Sequence, residues 1–348
     1  MSCVGRSRLA RLFLVAMCAA VMTIPLASVQ ADASRTAVLP PRGTFDADMI
    51  DSDDTGYTGK GVYVAVLDTG IVPNWKDYFP TENVMINLAK GFKEELMWDP
   101  VNESFIESGT VHEISYIGSL GSAHGTHVTS TIIGFNYYAP ADDAVDLTLP
   151  PVYVEGIAPD AKIIPVRVLV DYTIGSSQTD PVNYTEQKFV MGTDRAVAAG
   201  IRYATDLKLA GYSPMIVTMS LGGPLPSQVM EDALDYAVDN GVIVVASAGN
   251  EGDIGMGYPG GYSQVISVGA CGWRYEWYWP DFTSPDDMGG RYRLWWLKDT
   301  TYGFNDVTED PAALADDIYM ASWSSRELEG QQLDVVAPGT WIRGPYPG

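Results

Sequence analysis

Cysteine is almost absent from this chain, with Cys3, Cys18 and Cys271 the only three in 348 residues. Two of them lie in a leading segment that reads as removable, so a mature protein would keep Cys271 alone and could form no intramolecular disulfide. Extra stability must come from packing or from bound ions. Basic residues are scarce too, since 21 Lys and Arg stand against 44 Asp and Glu for a formal charge of −23. A phosphate backbone needs a basic face, so this balance excludes nucleic acid as a partner and leaves a solvated acidic surface. Histidine occurs three times, as His112, His124 and His127. The last two are three residues apart without an intervening glutamate, which is not the H-E-x-x-H step of a zinc helix. Long apolar runs are lacking as well: the one at 12–26 is short for a membrane span and is interrupted by Pro25.

What is present begins with an export signal. Arg6, Arg8 and Arg11 precede the apolar run, and small residues ending Val29-Gln30-Ala31 follow it, the three-part pattern of a cleavable secretory peptide over 1–31. Cleavage predicts a secreted or extracytoplasmic protein with no stable membrane association. It also removes the three arginines, taking the formal charge from −23 to −26. Residues 32–56 read as an irregular leader with Pro40-Pro41 and an Asp/Ser cluster. The rest, 57–348, has the 46% apolar content, glycine and proline of an ordinary globular domain.

Short apolar runs bounded by Gly and Asp recur along that domain, at 62–67, 163–170, 215–219, 242–246, 265–268 and, more weakly, 333–337. Runs without polar alternation predict strands buried on both faces. Helical patterns lie between them at 125–133, 186–210 and 227–240, the last closed by Gly241. Alternating strands and helices predict an α/β fold with a mostly parallel sheet covered on both sides, whose ligands bind beyond the carboxyl ends of the strands. Asp68, Ser220 and the Ala248-Gly249-Asn250 turn fall just after such ends. Two stretches break the rhythm as insertions, near 137–153 and 272–319. The second holds five of the nine tryptophans, Trp273, Trp277, Trp279, Trp295 and Trp296, which read as a small core of its own rather than a carbohydrate or peptide platform.

Each candidate group is ambiguous alone. An aspartate after a strand is a common turn residue, and an asparagine after Ala-Gly is another. Together they fit acyl transfer, in which an imidazole takes the proton of a weak hydroxyl nucleophile, a buried carboxylate orients the ring, and a donor awaits the oxyanion. Asp68, His124 and Asn250 fit those three roles.

The ordered motifs Gly59-Lys-Gly-Val to Asp68-Thr-Gly-Ile71, His124-Gly-Thr-His-Val128, Gly156-Ile-Ala-Pro159, Met219-Ser-Leu-Gly-Gly223, Ala248-Gly-Asn-Glu-Gly252, Gly257-Tyr-Pro259, Ala321-Ser-Trp-Ser-Ser325 and Leu333-Asp-Val-Val-Ala-Pro-Gly339 resemble the subtilisin-like serine peptidases, the subtilases. The resemblance implies their three-layer α/β fold, with Asp68 as the base-orienting carboxylate, His124 rather than His127 as the base, and Asn250 as oxyanion donor. It implies that Ser220, Leu221 and Gly222 pair with an extended protein or peptide substrate. It further implies that Gly249 and Gly257 wall and floor the first specificity pocket, so a large apolar residue before the scissile bond is expected, or a basic one attracted by Glu251. Asp77 matches a family calcium ligand, which makes structural calcium an expectation; no organic cofactor is implied.

Two departures stand out. The family's nucleophile lies in G-T-S-M-A after the A-P-G turn, whereas Gly339-Thr340 is followed by Trp341 and no G-T-S occurs in the sequence. The expectation is that the nucleophile belongs to a longer protein and that this chain alone is inactive; the alternative is a non-catalytic subtilase-fold binding or scaffold module. The leader 32–56 is also too short for the folded pro-segment many exported subtilases carry.

Overall fold

The computed structural model describes residues 45–99, 101, 104–118, 123–137, 152–175, 186–273, 318–340, 342 and 344–346. In chain order the elements are α1 (Phe45–Asp48), β1 (Tyr63–Asp68), β2 (Lys90–Asp99), β3 (Ser104–Ile114), α2 (Ala123–Ile133), β4 (Phe135–Tyr137), β5 (Val152–Val154), β6 (Lys162–Arg167), β7 (Val170–Gly175), β8 (Glu186–Met191), α3 (Asp194–Leu209), β9 (Met215–Met219), α4 (Gln228–Asp239), β10 (Ile243–Ser247), β11 (Ile266–Trp273), β12 (Ile318–Met320) and β13 (Val335–Pro338). The expected export signal, Cys3 and Cys18 and most of the leader lie outside the described residues.

Nine strands form one sheet in the order β12-β11-β10-β9-β1-β6-β2-β3, with β13 also paired to β11. The pairs from β2 through β6, β1, β9 and β10 to β11, and that of β11 with β13, are parallel; β3 and β12 add antiparallel edges. Strand β1 shows why its sequence does not alternate. Ala65 and Leu67 join one core with Val217, Val244 and the buried faces of α3 and α4, while Val64 and Val66 join another with Ile133 of α2 and Ile163. Both faces are covered, so both must be apolar.

Helix α3 begins where Thr193 Oγ1 accepts the N–H of Ala196, an N-cap that meets one of the helix's orphan donors. At Gly200 it comes so close to the sheet that a Cβ would stand 2.8 Å from Val168 Cγ1. Helix α4 is followed by Gly241, whose φ of +73° is the left-handed turn that favours glycine.

Three expectations differ from the structure. Residues 186–191 are a strand rather than the start of a helix, because Met191 and Phe189 pack with Val170, Tyr172 and Phe105 in a separate small core, and the helix starts only at its Thr193 cap. The leader's last residues are not irregular throughout: 45–48 are helical and 52–55 form a 3-10 turn. The long β2–β3 hairpin was not anticipated. Glu94 keeps the inward phase of Phe92 and Leu96 and is fully buried, where Oε1 accepts the N–H of Gly109 at 2.6 Å and Arg195 Nε stands 3.6 Å away; the register shift lies on β3, whose residues 108–110 stand opposite Glu95.

The insertion near 137–153 is flanked by the β4–β5 pair and that near 272–319 by the antiparallel β11–β12 pair. Residues 138–151 and 274–317 lie outside the described ones, and so does the aromatic cluster apart from the backbone of Trp273. No helix among the described residues is long and apolar enough to cross a membrane.

Candidate active site

Asp68 ends β1 at the carboxyl edge of the sheet, in register with Arg167 of β6. It is 1% exposed, and Oδ1 accepts the N–H of Thr69 at 2.6 Å. The chain must then turn sharply, and Gly70 allows it with φ +78°; a Cβ there would run into the carbonyl of Tyr116. Helix α2 is docked onto this turn by its own first residues. The Gly125 N–H donates to Thr69 Oγ1 at 2.9 Å, and the Val72 N–H donates to the buried Thr126 Oγ1 at 3.1 Å. A Cβ on Gly125 would collide with the Gly70 carbonyl. The Gly-Thr after His124 therefore fixes the helix at a distance no larger residue would permit.

That docking sets His124 against Asp68. His124 Nδ1 lies 2.8 Å from Oδ1 and 3.0 Å from Oδ2, so Nδ1 carries the proton toward the carboxylate and Nε2 keeps its lone pair. The imidazole is 22% exposed while the carboxylate is enclosed. Burial pushes the His124 pKa down, yet the charge and hydrogen bond of Asp68 outweigh it and leave the pKa raised.

His127 is occupied elsewhere. Its Nε2 donates to the carbonyl of Ile342 at 3.1 Å, and its ring meets that of Tyr346 edge-on at 6.2 Å. Burial lowers its pKa, as does the neighbouring His124. His112 lies on the exposed β2–β3 hairpin opposite Lys93.

The remaining sequence candidates gather at the ends of the adjacent strands. Ser220, Leu221 and Gly222 follow β9; Leu221 is 5% exposed and belongs to the core, so its side chain faces inward. Gly223 and Tyr258 exchange two backbone hydrogen bonds of 2.8 Å, and the Gly257 N–H donates to the Ala248 carbonyl at 2.9 Å. The structure thus brings 220–223, 248–250 and 257–258 into one wall. A Cβ on Gly222 would meet nothing nearer than 3.7 Å, whereas one on Gly249 would point at Glu251 Oε2 and Ser325 Oγ. Asn250 is exposed at the end of this turn. Glu251, expected at the pocket rim, instead folds its carboxylate back, with Oε2 accepting the Asn250 N–H at 2.7 Å and the Ser325 hydroxyl at 3.0 Å. Thr69, Thr126 and Ser325 were given no role in the sequence reading, although each lies inside a quoted motif.

Asp77 closes a 3-10 turn at 75–77, where Oδ2 accepts Asn74 Nδ2 at 3.1 Å and its carbonyl accepts Asn136 Nδ2 at 3.3 Å. Among the described residues no group of three or more His, Cys, Asp or Glu could hold a metal ion. Cys271 is buried.

Residues 59–346 match the family described as subtilases. The chain belongs to the subtilase family. It is similar to subtilisin E of Bacillus subtilis (strain 168), at 32% identity over 219 residues covering 62% of this chain and 42% of that protein. The subtilisin of Bacillus pumilus is 32% identical over 297 residues, covering 84% and 70%. M-protease of Shouchella clausii (strain KSM-K16) is 28% identical over 327 residues, covering 94% and 58%. The chain thus spans about two-fifths of the length of subtilisin E and under three-fifths of that of M-protease. Among solved structures, Sphericase is similar at 21% identity and a TM-score of 0.47, covering 86% of this chain and 69% of that one.

Proposed function

We propose that this chain carries the base, the orienting carboxylate and the oxyanion donor of an exported serine endopeptidase, and that the nucleophilic serine lies outside its 348 residues, so that the chain alone does not hydrolyse peptides. The observation that carries the reading is the Asp68–His124 contact at 2.8 Å, at the carboxyl edge of a parallel sheet whose neighbouring strands end in the Asn250 turn. His124 Nε2 takes the proton of the serine hydroxyl as it attacks the scissile carbonyl and returns it to the leaving amine. Asp68 stabilises the imidazolium formed between those two steps. The amide of Asn250 donates to the oxyanion.

An extended substrate pairs along 220–222, with main-chain bonds giving affinity and side-chain pockets giving preference. A first specificity pocket walled by Gly249 and floored by Gly257 favours a large apolar residue before the scissile bond. With its carboxylate already bonded to Asn250 and Ser325, Glu251 gives less support to a basic one. The pattern of residues 1–31 supports export. Structural calcium at Asp77 would take further oxygen ligands from carbonyls, amide side chains or other carboxylates.

A fluorophosphonate that captures active serines tests the proposal. It should label a form of the protein containing a G-T-S motif, should fail on that form with His124→Ala, and should not label the 348-residue chain. Equal labelling of the His124→Ala form would overturn the assignment, and labelling of the short chain would overturn the placement of the nucleophile.

A further inference from the structure

The motif Ala321-Ser-Trp-Ser-Ser325 has no part in the proton transfers above, yet its two last serines are 1% and 0% exposed. Burying two hydroxyls is unfavourable unless each is bonded, and each is. Ser324 Oγ accepts the N–H of Ala270 at 2.9 Å, and the N–H of Ala321 donates to the Ala270 carbonyl at 2.9 Å, so the segment is seated on β11. Its other side runs along the oxyanion turn. The Gly252 N–H donates to the Trp323 carbonyl at 3.0 Å, the Arg326 N–H to the Gly252 carbonyl at 2.9 Å, and the Ser325 N–H to the Gly249 carbonyl at 2.9 Å.

Ser325 and Glu251 then close a ring around Asn250. Ser325 Oγ accepts the Glu251 N–H at 3.0 Å and donates to Glu251 Oε2 at 3.0 Å, and the same carboxylate oxygen accepts the Asn250 N–H at 2.7 Å. Residues 250 and 251 are tied to one hydroxyl and one carboxylate, and Gly249 is tied to the backbone of Ser325. Gly249 completes the ring, because a Cβ there would stand 2.5 Å from Glu251 Oε2 and 2.8 Å from Ser325 Oγ, and its φ of +115° disfavours any side chain. Asn250 itself remains exposed at the turn's outer end.

We propose that Glu251 and Ser325 are positioning residues, which hold the backbone of Asn250 fixed so that its amide is already aimed when an oxyanion forms. The inference rests on the oxyanion role assigned to Asn250 above. A donor held in advance loses no reorganisation energy at the moment of reaction, which is what makes such a donor effective.

Two arms test this. In the 348-residue chain, Ser325→Ala and, independently, Glu251→Ala should speed amide hydrogen exchange across 249–251 severalfold while leaving β10 unchanged. Unchanged exchange at the turn, or an equal rise throughout β10 and β11, would overturn the clamp. In a form containing the nucleophile, Ser325→Ala should lower kcat by about tenfold with KM unchanged, the effect of one ordinary hydrogen bond. Ser325→Thr should restore it, and the loss should vanish in an Asn250→Ala background. A change in KM alone, or a tenfold loss that persists with Asn250→Ala, would contradict action through the oxyanion donor. A complete lack of hydrolysis would remove the peptidase reading and leave the exchange arm to decide the clamp.

Discussion

Asp68 does more for His124 than burial takes away, since desolvation alone would lower the imidazole pKa and it is nevertheless raised. The expected outcome by NMR titration is a His124 midpoint above that of an ordinary histidine, falling below it in Asp68→Asn, where burial stays and the charge is gone. The sign for stability follows from linkage. A histidine whose folded pKa exceeds its unfolded one stabilises the fold fully below the unfolded pKa, and that contribution is lost as pH rises through the folded value. Catalysis runs the other way, because the base must be neutral, so kcat/KM should rise with pH through the same raised pKa. Gly125 belongs to this scale too. Gly125→Ala would press a methyl into the Gly70 carbonyl, and its cost, about 1–3 kcal/mol by denaturant unfolding, should come with loss of the raised His124 titration as α2 backs away from β1.

At the scale of elements, Thr193 and Gly241 mark boundaries that can be tested singly. Thr193→Ala removes the acceptor for the Ala196 N–H and should cost about 1 kcal/mol of unfolding free energy. Gly241→Ala has room, its nearest neighbour being Lys208 Nζ at 3.4 Å, so its cost of about 1–2 kcal/mol comes from φ alone. The same elements show what the sequence makes legible. Strands β1, β9 and β10 are short apolar runs between turn residues and can be read within a residue or two, β1 because both of its faces are covered and β9 and β10 because nearly every residue is apolar whichever face it takes. Strand β8 was taken for helix because Phe189 and Met191 are recruited by a distant hairpin, a tertiary contact with no local signature. The Gly192-Thr193-Asp194 step could have placed the helix start correctly. The β2–β3 hairpin escaped notice because the inward position between Phe92 and Leu96 is taken by the charged Glu94, which leaves no apolar alternation for strand reading to follow. In the site, the motifs singled out Asp68 and His124, which the structure brings into contact. The Ser325 contacts were not legible, since they exist only where residues 74 positions apart are brought together.

For the whole molecule, the two faces of the sheet differ. Register sets Ile243, Ile266 and Val335 on the face that Val64 and Val66 share with α2, yet these three are 49%, 42% and 49% exposed. Half-exposed apolar side chains on one face of a sheet should bind a hydrophobic dye. The 348-residue chain is expected to enhance dye fluorescence, and Ile243→Ser with Ile266→Ser to reduce it; an unchanged signal would mean that the face is covered in solution. The proposed chemistry lies at the carboxyl edge of the sheet, where β1, β9 and β10 end side by side. The most direct measurement is peptide hydrolysis by a form of the protein that contains a G-T-S serine, with and without His124→Ala. The account predicts turnover that falls by about 10⁶ in the variant, the size known for loss of the base in subtilisin itself, and turnover unaffected by removing His124 would contradict it.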